Sequence, residues 1–350
     1  MTAPSPAPPL EVDPALVQRF SAELERLWPL EDREDEAGEA LSLGLAVSGG
    51  PDSLALLLLA AHALPGEVAV ASVDHGLRLE AAGELALVER VCAALDVPFT
   101  PLKVRLAPGN LQARAREARY EALGRWVSQQ GLGALASAHH ADDQAETLLM
   151  RLARGSGLSG LAGVREASLF EPTGSEAEAF PLIRPLLGWR KAELERIVRE
   201  AGLTPARDPS NTQQRFDRVR VREHLAAHDW LDPQALATSA QHLAEAWRAI
   251  EWYAQGDFEE MVMRDEEIGG FTYHANVPRI VQIETLRRII AEMGGHVTRA
   301  EAGRAADRLW RGENASLGGV LCTPEVELVE KVGIEMRVWR FTPEPPRQLH

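Results

Sequence analysis

The sequence predicts an α/β fold: a parallel sheet with helices on both faces, followed by a mainly helical C-terminal domain. Three observations predict it. Short apolar runs alternate with helical patterns from residue 41 to about residue 201. Gly, Ser and Asp cluster where the apolar runs end. Beyond residue 222 the alternation gives way to long helical stretches. Strands alternating with helices of this length build βαβ units and a parallel sheet.

Residues 14–29 carry a helical pattern through Leu16, Phe20, Leu24 and Leu27, and the acidic run Glu31-Asp32-Arg33-Glu34-Asp35-Glu36 follows as a solvated connector. LSLGLAVS, ending at Ser48, is the first strand, and residues 53–63 are a strongly apolar helix. EVAVASVD (67–74) is a second strand, 82–95 a helix, FTPLKV (99–104) a third strand and 111–130 a long helix. LGALASA (132–138) is a fourth strand and 142–154 a helix, and FPLIRPLL (180–187) with 190–201 supplies one more of each. Residues 232–265, 278–293 and 298–311 read as helices, ahead of a strand-like tail at Gly319–Cys322, Val326–Val329 and Glu335–Trp339. The expected organisation is a tail, helix and connector over 1–40, an α/β domain over 41–222 and a mainly helical domain over 223–350.

Length and composition agree with this plan. A chain of 350 residues is enough for about two domains. No apolar run reaches the roughly 18 residues of a spanning helix. The start, MTAPSPAPPL, has neither the basic residues nor the apolar core of a secretory signal. No membrane association and a cytoplasmic location are therefore expected. The two cysteines, Cys92 and Cys322, form no C-x-x-C, which excludes a four-thiolate zinc or iron–sulfur site. Cys92 falls in an apolar helical pattern and reads as a small buried side chain. The net charge of −15 excludes a globally positive surface. It leaves room for a nucleic-acid partner, because phosphates need a local basic patch.

Ser48-Gly49-Gly50-Pro51-Asp52-Ser53 joins an apolar strand to an apolar helix. The first turn of a helix leaves N–H groups free, and its dipole favours an anion. Gly49 and Gly50 let the backbone approach phosphates. Pro51 suits a first turn that has no use for its missing N–H. Ser48 and Ser53 add hydroxyls. Asp52 would repel phosphate, so its sensible role is to hold Mg2+ against it. The loop is no Walker A motif. It resembles the SGGxDS signature of the N-type ATP pyrophosphatases, which implies cleavage of ATP between its α- and β-phosphates. Gly155, Gly157 and Gly160 also spell G-x-G-x-x-G, but after a helix, so they read as a helix terminator and loop.

His139-His140-Ala141-Asp142-Asp143-Gln144-Ala145-Glu146-Thr147 follows the fourth strand. Asp142 is the expected N-cap, with Ala145, Leu148, Leu149 and Leu152 on the buried stripe. Asp143 and Glu146 are then neighbours near the helix start. Such carboxylates either satisfy the helix end or do chemistry, and two histidines at a strand end favour chemistry.

SAHHADDQAETLLMRLARGSG resembles the corresponding stretch of the tRNA(Ile)-lysidine synthetases. So do Val73-Asp74-His75-Gly76-Leu77-Arg78, Asn110–Arg114 with Ala118-Arg119-Tyr120, Arg184-Pro185-Leu186-Leu187, Asp208-Pro209-Ser210-Asn211, and Arg218 with Arg220-Val221-Arg222. The resemblance implies an enzyme that uses ATP, Mg2+ and L-lysine to modify the wobble cytidine of a tRNA(Ile) with a CAU anticodon, and it is compatible with a homodimer. Adenylation turns the poor electrophile of the cytosine carbonyl into a good one, and the lysine ε-amine then displaces AMP. A lysine amine is almost wholly protonated at pH 7, so a proton acceptor and an anchor are needed. Asp143 and Glu146 suit both roles, and His139 or His140 suits a proton relay. Arg119 would stabilise charge on the transferred phosphate. Asp74 and His75 fall where adenosine is expected, and Arg184, Asp208 and Asn211 are expected on the substrate face. Arg215, Arg218, Arg220 and Arg222, and a second cluster of Arg279, Arg287 and Arg288, are either phosphate contacts or helix-surface ion pairs. The chain is shorter than the longest members, so a further C-terminal module is expected to be absent. A tRNA thiolase of the same fold would need reactive cysteines or a cluster. A non-catalytic nucleotide binder would not need the carboxylate–histidine set.

Overall fold

The first sheet is built on β1 (Leu43–Ala46), whose neighbours are β2 (Val68–Asp74) and β4 (Ala134–Ala136), both parallel to it. The computed structural model describes residues 10–34, 38, 40–74, 81–104, 111–171, 179–206, 216–329 and 334–344. β3 (Phe99–Lys103) extends the sheet beyond β2, and β6 (Phe180–Ile183) extends it beyond β4. The five expected strands are all present in the order β3-β2-β1-β4-β6, with β5 beyond β6. β5 (Ala167–Phe170) was not expected and pairs antiparallel with β6, so the sheet is parallel except at one edge. Its exposure alternates residue by residue, and Leu169 stays 63% exposed, so no continuous apolar run marks it.

Helix α1 (Pro14–Leu27) is capped by Asp13, whose Oδ1 accepts from the Ala15 N–H at 2.9 Å. It buries Phe20 and Leu24 against α2 (Pro51–Ala63), so the N-terminal segment belongs to the core. α2 is apolar all round because it is covered all round: Leu54 through Ala60 are fully buried between the sheet on one side and α1 and α7 (Lys191–Glu200) on the other. Burying each leucine contributes about 1.5–3 kcal/mol, so a truncation such as Leu57→Ala costs about 2–5 kcal/mol. That rigidity fixes where the helix begins, which is the Ser48–Ser53 loop. On the other face of the sheet, α4 (Leu111–Gln130) buries Tyr120, Leu123, Trp126 and Val127. α3 (Ala81–Ala94) carries Cys92, buried as expected, with its thiol pushed up to about 12 by burial.

Past β4 come α5 (Ala141–Leu152), the single turn α6 (Leu158–Leu161) that follows the glycine-rich segment, and α8 (Phe216–Ala227), which packs on α5. The chain divides into two units, 1–244 and 245–350, with the division inside α9 (Pro233–Met261). The division lies past the expected residue 222.

The second unit is not purely helical. α10 (Arg279–Glu292) and α11 (Arg299–Trp310) cover a five-stranded antiparallel sheet in the order β7-β8-β11-β10-β9. The strands are β7 (Val262–Asp265), β8 (Gly270–His274), β9 (Ala315–Leu317), β10 (Val320–Val329) and β11 (Ile334–Pro343). The helix expected over 232–265 stops at Met261, and Val262 opens a hairpin instead. Asp265 Oδ1 accepts from the Glu267 N–H at 3.0 Å, and Gly269 takes φ +63° to close the turn. β8 then pairs with β11, and that distant partner overrides the local helical rhythm. Cys322 is buried in this unit, its thiol also raised to about 12 by burial.

Candidate active site

Loop and helix meet at the carboxyl ends of β1 and β4, where ligands bind in sheets of this type. The Ser48 N–H donates to Ser53 Oγ at 3.1 Å, and Ser53 Oγ donates to the Gly50 carbonyl at 3.0 Å. These bonds close the loop on itself. Gly49 takes φ +82°, and a Cβ there would come 3.3 Å from the Glu84 carbonyl oxygen. The position therefore favours glycine by backbone conformation and by space. The Gly49 carbonyl accepts from the Ala206 N–H at 3.0 Å, which ties the segment after α7 to the loop. Pro51 opens α2, as expected.

Asp52 stands in the first turn of α2. Its Oδ2 lies 3.6 Å from His140 Nε2, while its buried Oδ1 has no hydrogen-bond partner in the protein. An unpartnered buried carboxylate oxygen is costly and marks a place for a cation. Among the described residues no three His, Cys, Asp or Glu side chains cluster to hold a metal. A magnesium ion here would be held by Asp52 with phosphate oxygens, its usual arrangement beside a nucleotide.

His140, rather than Asp142, is the N-cap of α5. Its Nδ1 accepts from the Asp143 N–H at 3.3 Å, and Asp143 Oδ2 accepts from the His140 N–H at 3.3 Å. Asp142 turns away to α7, accepting from the Lys191 N–H at 2.8 Å and from Arg190. Burial and Asp142's usefulness elsewhere thus displace it from the cap. With Nδ1 accepting, the ring proton sits on Nε2, which faces Asp52 and, at 3.5 Å, Asp143 Oδ2. Burial pushes the His140 pKa down, but the hydrogen bond to Asp52 and the charges of Asp143, Asp52 and Asp142 outweigh it and hold it above the ordinary value. His139 goes the other way: burial, with the charges of Arg184, Arg116 and His140 adding to it against Asp143, lowers its pKa to about 4. Its Nδ1 is 3.0 Å from Ser137 Oγ. Adjacent histidines pushed apart in this way divide a proton-carrying role from a neutral one.

Glu146 is buried, 4% exposed, and receives Arg218 Nε at 2.8 Å and Arg222 Nε on its other oxygen. Arg218 also lies 3.8 Å from Asp143. α8 therefore brings two guanidiniums onto α5, where sequence spacing had left Asp143 and Glu146 equivalent. The buried stripe of α5 also differs from expectation: Gln144 and Glu146 are inside, and Leu152 is 50% exposed.

The remaining expected residues divide. Asp74 ends β2, beside β1, as expected. His75, Asp208, Asn211 and Arg215 lie outside the described residues. Arg184 is buried, with Nη1 donating to the Arg165 carbonyl at 2.6 Å; it lines a polar cleft with Glu23, Arg26, Gln144 and Glu166, and its charge acts on His139. Arg119 lies on α4, where burial of its guanidinium lowers its pKa, and the charge of that helix that acts on His139 is that of Arg116, which sequence reasoning had passed over. Arg220 is exposed on α8. In the second unit Arg279 pairs with Asp307 at 2.6 Å and Arg287 with Glu284 at 2.9 Å, while Arg288 bonds Gln255. Arg279 and Arg287 are thus in ion pairs, and Arg288 bonds a neutral side chain.

Comparison with known proteins places this geometry. The family model of the PP-loop domain matches residues 23–228. The tRNA(Ile)-lysidine synthase of Novosphingobium aromaticivorans is 44% identical over 305 residues, covering 86% of this chain and 88% of that protein. The tRNA(Ile)-lysidine synthase of Zymomonas mobilis is 38% identical over 310 residues, covering 87% and 89%. Among solved structures, a U34-tRNA thiolase from Methanococcus maripaludis superposes with a TM-score of 0.50 at 15% identity, over 66% of this chain and 79% of that one. The last likeness shows the shared fold alone. No helix of the described residues is long and apolar enough to cross a membrane.

Proposed function

This chain belongs to the tRNA(Ile)-lysidine synthase family, and from that premise we propose that it joins L-lysine to the wobble cytidine of a CAU-anticodon tRNA(Ile) at the expense of ATP. The observation that carries the reading is His140, which bridges Asp52 of the phosphate loop and Asp143 of the second constellation. A nucleotide site alone would not need that bridge.

In the first step the cytosine carbonyl oxygen attacks the α-phosphorus of ATP, and pyrophosphate leaves. The closed Ser48–Ser53 loop and the free N–H groups at the start of α2 receive the pyrophosphate. Magnesium held by Asp52 would neutralise its charge. In the second step the lysine ε-amine attacks the same ring carbon, and AMP leaves with the oxygen. Asp143 anchors the incoming ammonium and takes a proton from it, while His140, with its ring proton on Nε2 toward Asp52 and the same carboxylate, holds that carboxylate in place. The low pKa of His139 keeps its imidazole neutral as a hydrogen-bonding wall. Glu146 holds Arg218 and Arg222 in place beside the site. Neither the exposed Arg220 nor any other arginine is needed to balance these steps.

Incubating the protein with an unmodified CAU-anticodon tRNA(Ile), ATP and lysine, then weighing the tRNA, tests this reading. The expected gain is the mass of lysine less one water. An unchanged mass under conditions where ATP binds would refute it.

A further inference from the structure

The end of α8 and the segment after it carry an exposed aromatic ladder that the reaction above leaves unused. Trp230 is 76% exposed, far beyond what burial explains for a tryptophan. Its ring lies 6.4 Å from that of His228 at an interplanar angle of 79°, and His228 lies 5.8 Å from His224 at the end of α8. A perpendicular neighbour covers at most one face of the indole, and the exposure leaves another open.

The backbone that bears this ring is tied toward the site. Asp232, two residues on, receives Arg190 Nη1 at 3.2 Å, and the same guanidinium binds Asp142 at 3.3 Å. Asp142 is next to Asp143 and 3.8 Å from His140. The chain of contacts therefore runs from the reacting centre through Asp142 and Arg190 to the segment that bears Trp230. The same segment is held again where the Leu231 N–H donates to the His228 carbonyl at 3.0 Å. A wobble base that enters the site brings unpaired neighbours with it, and unpaired bases are bound by stacking on aromatic rings.

We propose that Trp230, buttressed by His228, is a positioning residue that stacks on an unpaired base flanking the modified cytidine. The inference rests on the functional reading above, because it requires an RNA loop as substrate. Stacking on an aromatic ring is sequence-tolerant, so its contribution is to affinity and placement rather than to identity.

The test compares wild type, Trp230→Ala and Trp230→Tyr in two measurements. The first is steady-state product formation with tRNA varied at saturating ATP and lysine. The second is direct binding of a labelled anticodon stem-loop RNA at one fixed salt concentration. Loss of a base stack predicts that Trp230→Ala raises KM for tRNA, and weakens stem-loop binding, by about fivefold or more. KM for ATP should stay unchanged, and Trp230→Tyr should recover most of the loss. Equal stem-loop binding by wild type and Trp230→Ala would overturn the proposal, whatever the turnover. A matching rise in KM for ATP would overturn it too, because the effect would then be damage to the site. Wild type that binds stem-loop RNA and yields no product would instead refute the functional reading, and the binding comparison would still decide the role of Trp230.

Discussion

Replacing Glu146 with Gln tests whether that carboxylate positions arginines or accepts a proton. Glu146 is 4% exposed, while Arg218 and Arg222 are 35% and 42% exposed. Gln keeps the shape but removes the charge, and it turns an NH2 toward one guanidinium. Breaking a fully buried ion pair costs about 3–5 kcal/mol, whereas an exposed pair is worth about 0.2–1 kcal/mol. Both arginines can swing to water, which screens the loss, so about 1–2 kcal/mol is expected. For a unit of this size each kcal/mol moves Tm by about 2–4 °C, giving a fall of about 2–8 °C. The sharper assay is a double-mutant cycle with Arg222→Gln, followed by denaturant unfolding. A coupling of about 1 kcal/mol is expected, and additivity within about 0.5 kcal/mol would refute the pairing. Turnover adds a second readout. If Glu146 only positions arginines, the Gln variant retains measurable product formation with an unchanged pH profile. Complete loss of turnover in a folded variant would make Glu146 the proton acceptor instead of Asp143.

Asp52→Asn should lower tRNA-dependent pyrophosphate release by about a hundredfold or more, since a catalytic metal supplies several kcal/mol of charge stabilisation, and unchanged release would remove the metal-holding role. Gly49→Ala should cost about 1–2 kcal/mol of stability from its left-handed backbone, and raise KM for ATP, whereas Gly50→Ala, at φ −72°, should cost less stability; equal losses in thermal melts would contradict this. The two histidines predict opposite pH dependences in urea-unfolding midpoints. His139, depressed to about 4, adds stability that is present above about pH 6.5 and lost as pH falls toward 4, worth at most about 3 kcal/mol, and His139→Asn should abolish that loss. His140, raised, adds stability that is full below about pH 6.5 and fades as pH rises through its folded value, so His140→Gln should be most destabilising in mild acid and less so in base.

Much of this was legible in the sequence, and the exceptions have physical reasons. The strands β1, β2 and β4 and the helix α2 were readable because they are apolar over most of their length, as burial on both faces requires, whereas β3 at the sheet edge is only partly buried. The Ser48–Ser53 loop was readable because its geometry is local: one left-handed glycine, one proline in a first turn and two hydroxyls that bond within five residues. β5 and the β7–β8 hairpin were not: β5 is an edge strand whose exposure alternates without an apolar run, and β8 is held by β11, a partner far along the chain. The site shows the same division. Spacing put Asp143 and Glu146 on one helix as equals, and it could not tell His139 from His140. What separates them is what arrives from elsewhere. α8 closes two guanidiniums over Glu146, α7 draws Asp142 out of the cap, and the vacated cap goes to His140, which is thereby turned toward Asp52. The residue pattern therefore defines which groups are available for catalysis, while long-range packing decides which of them is left facing the phosphate loop with a proton to give or take.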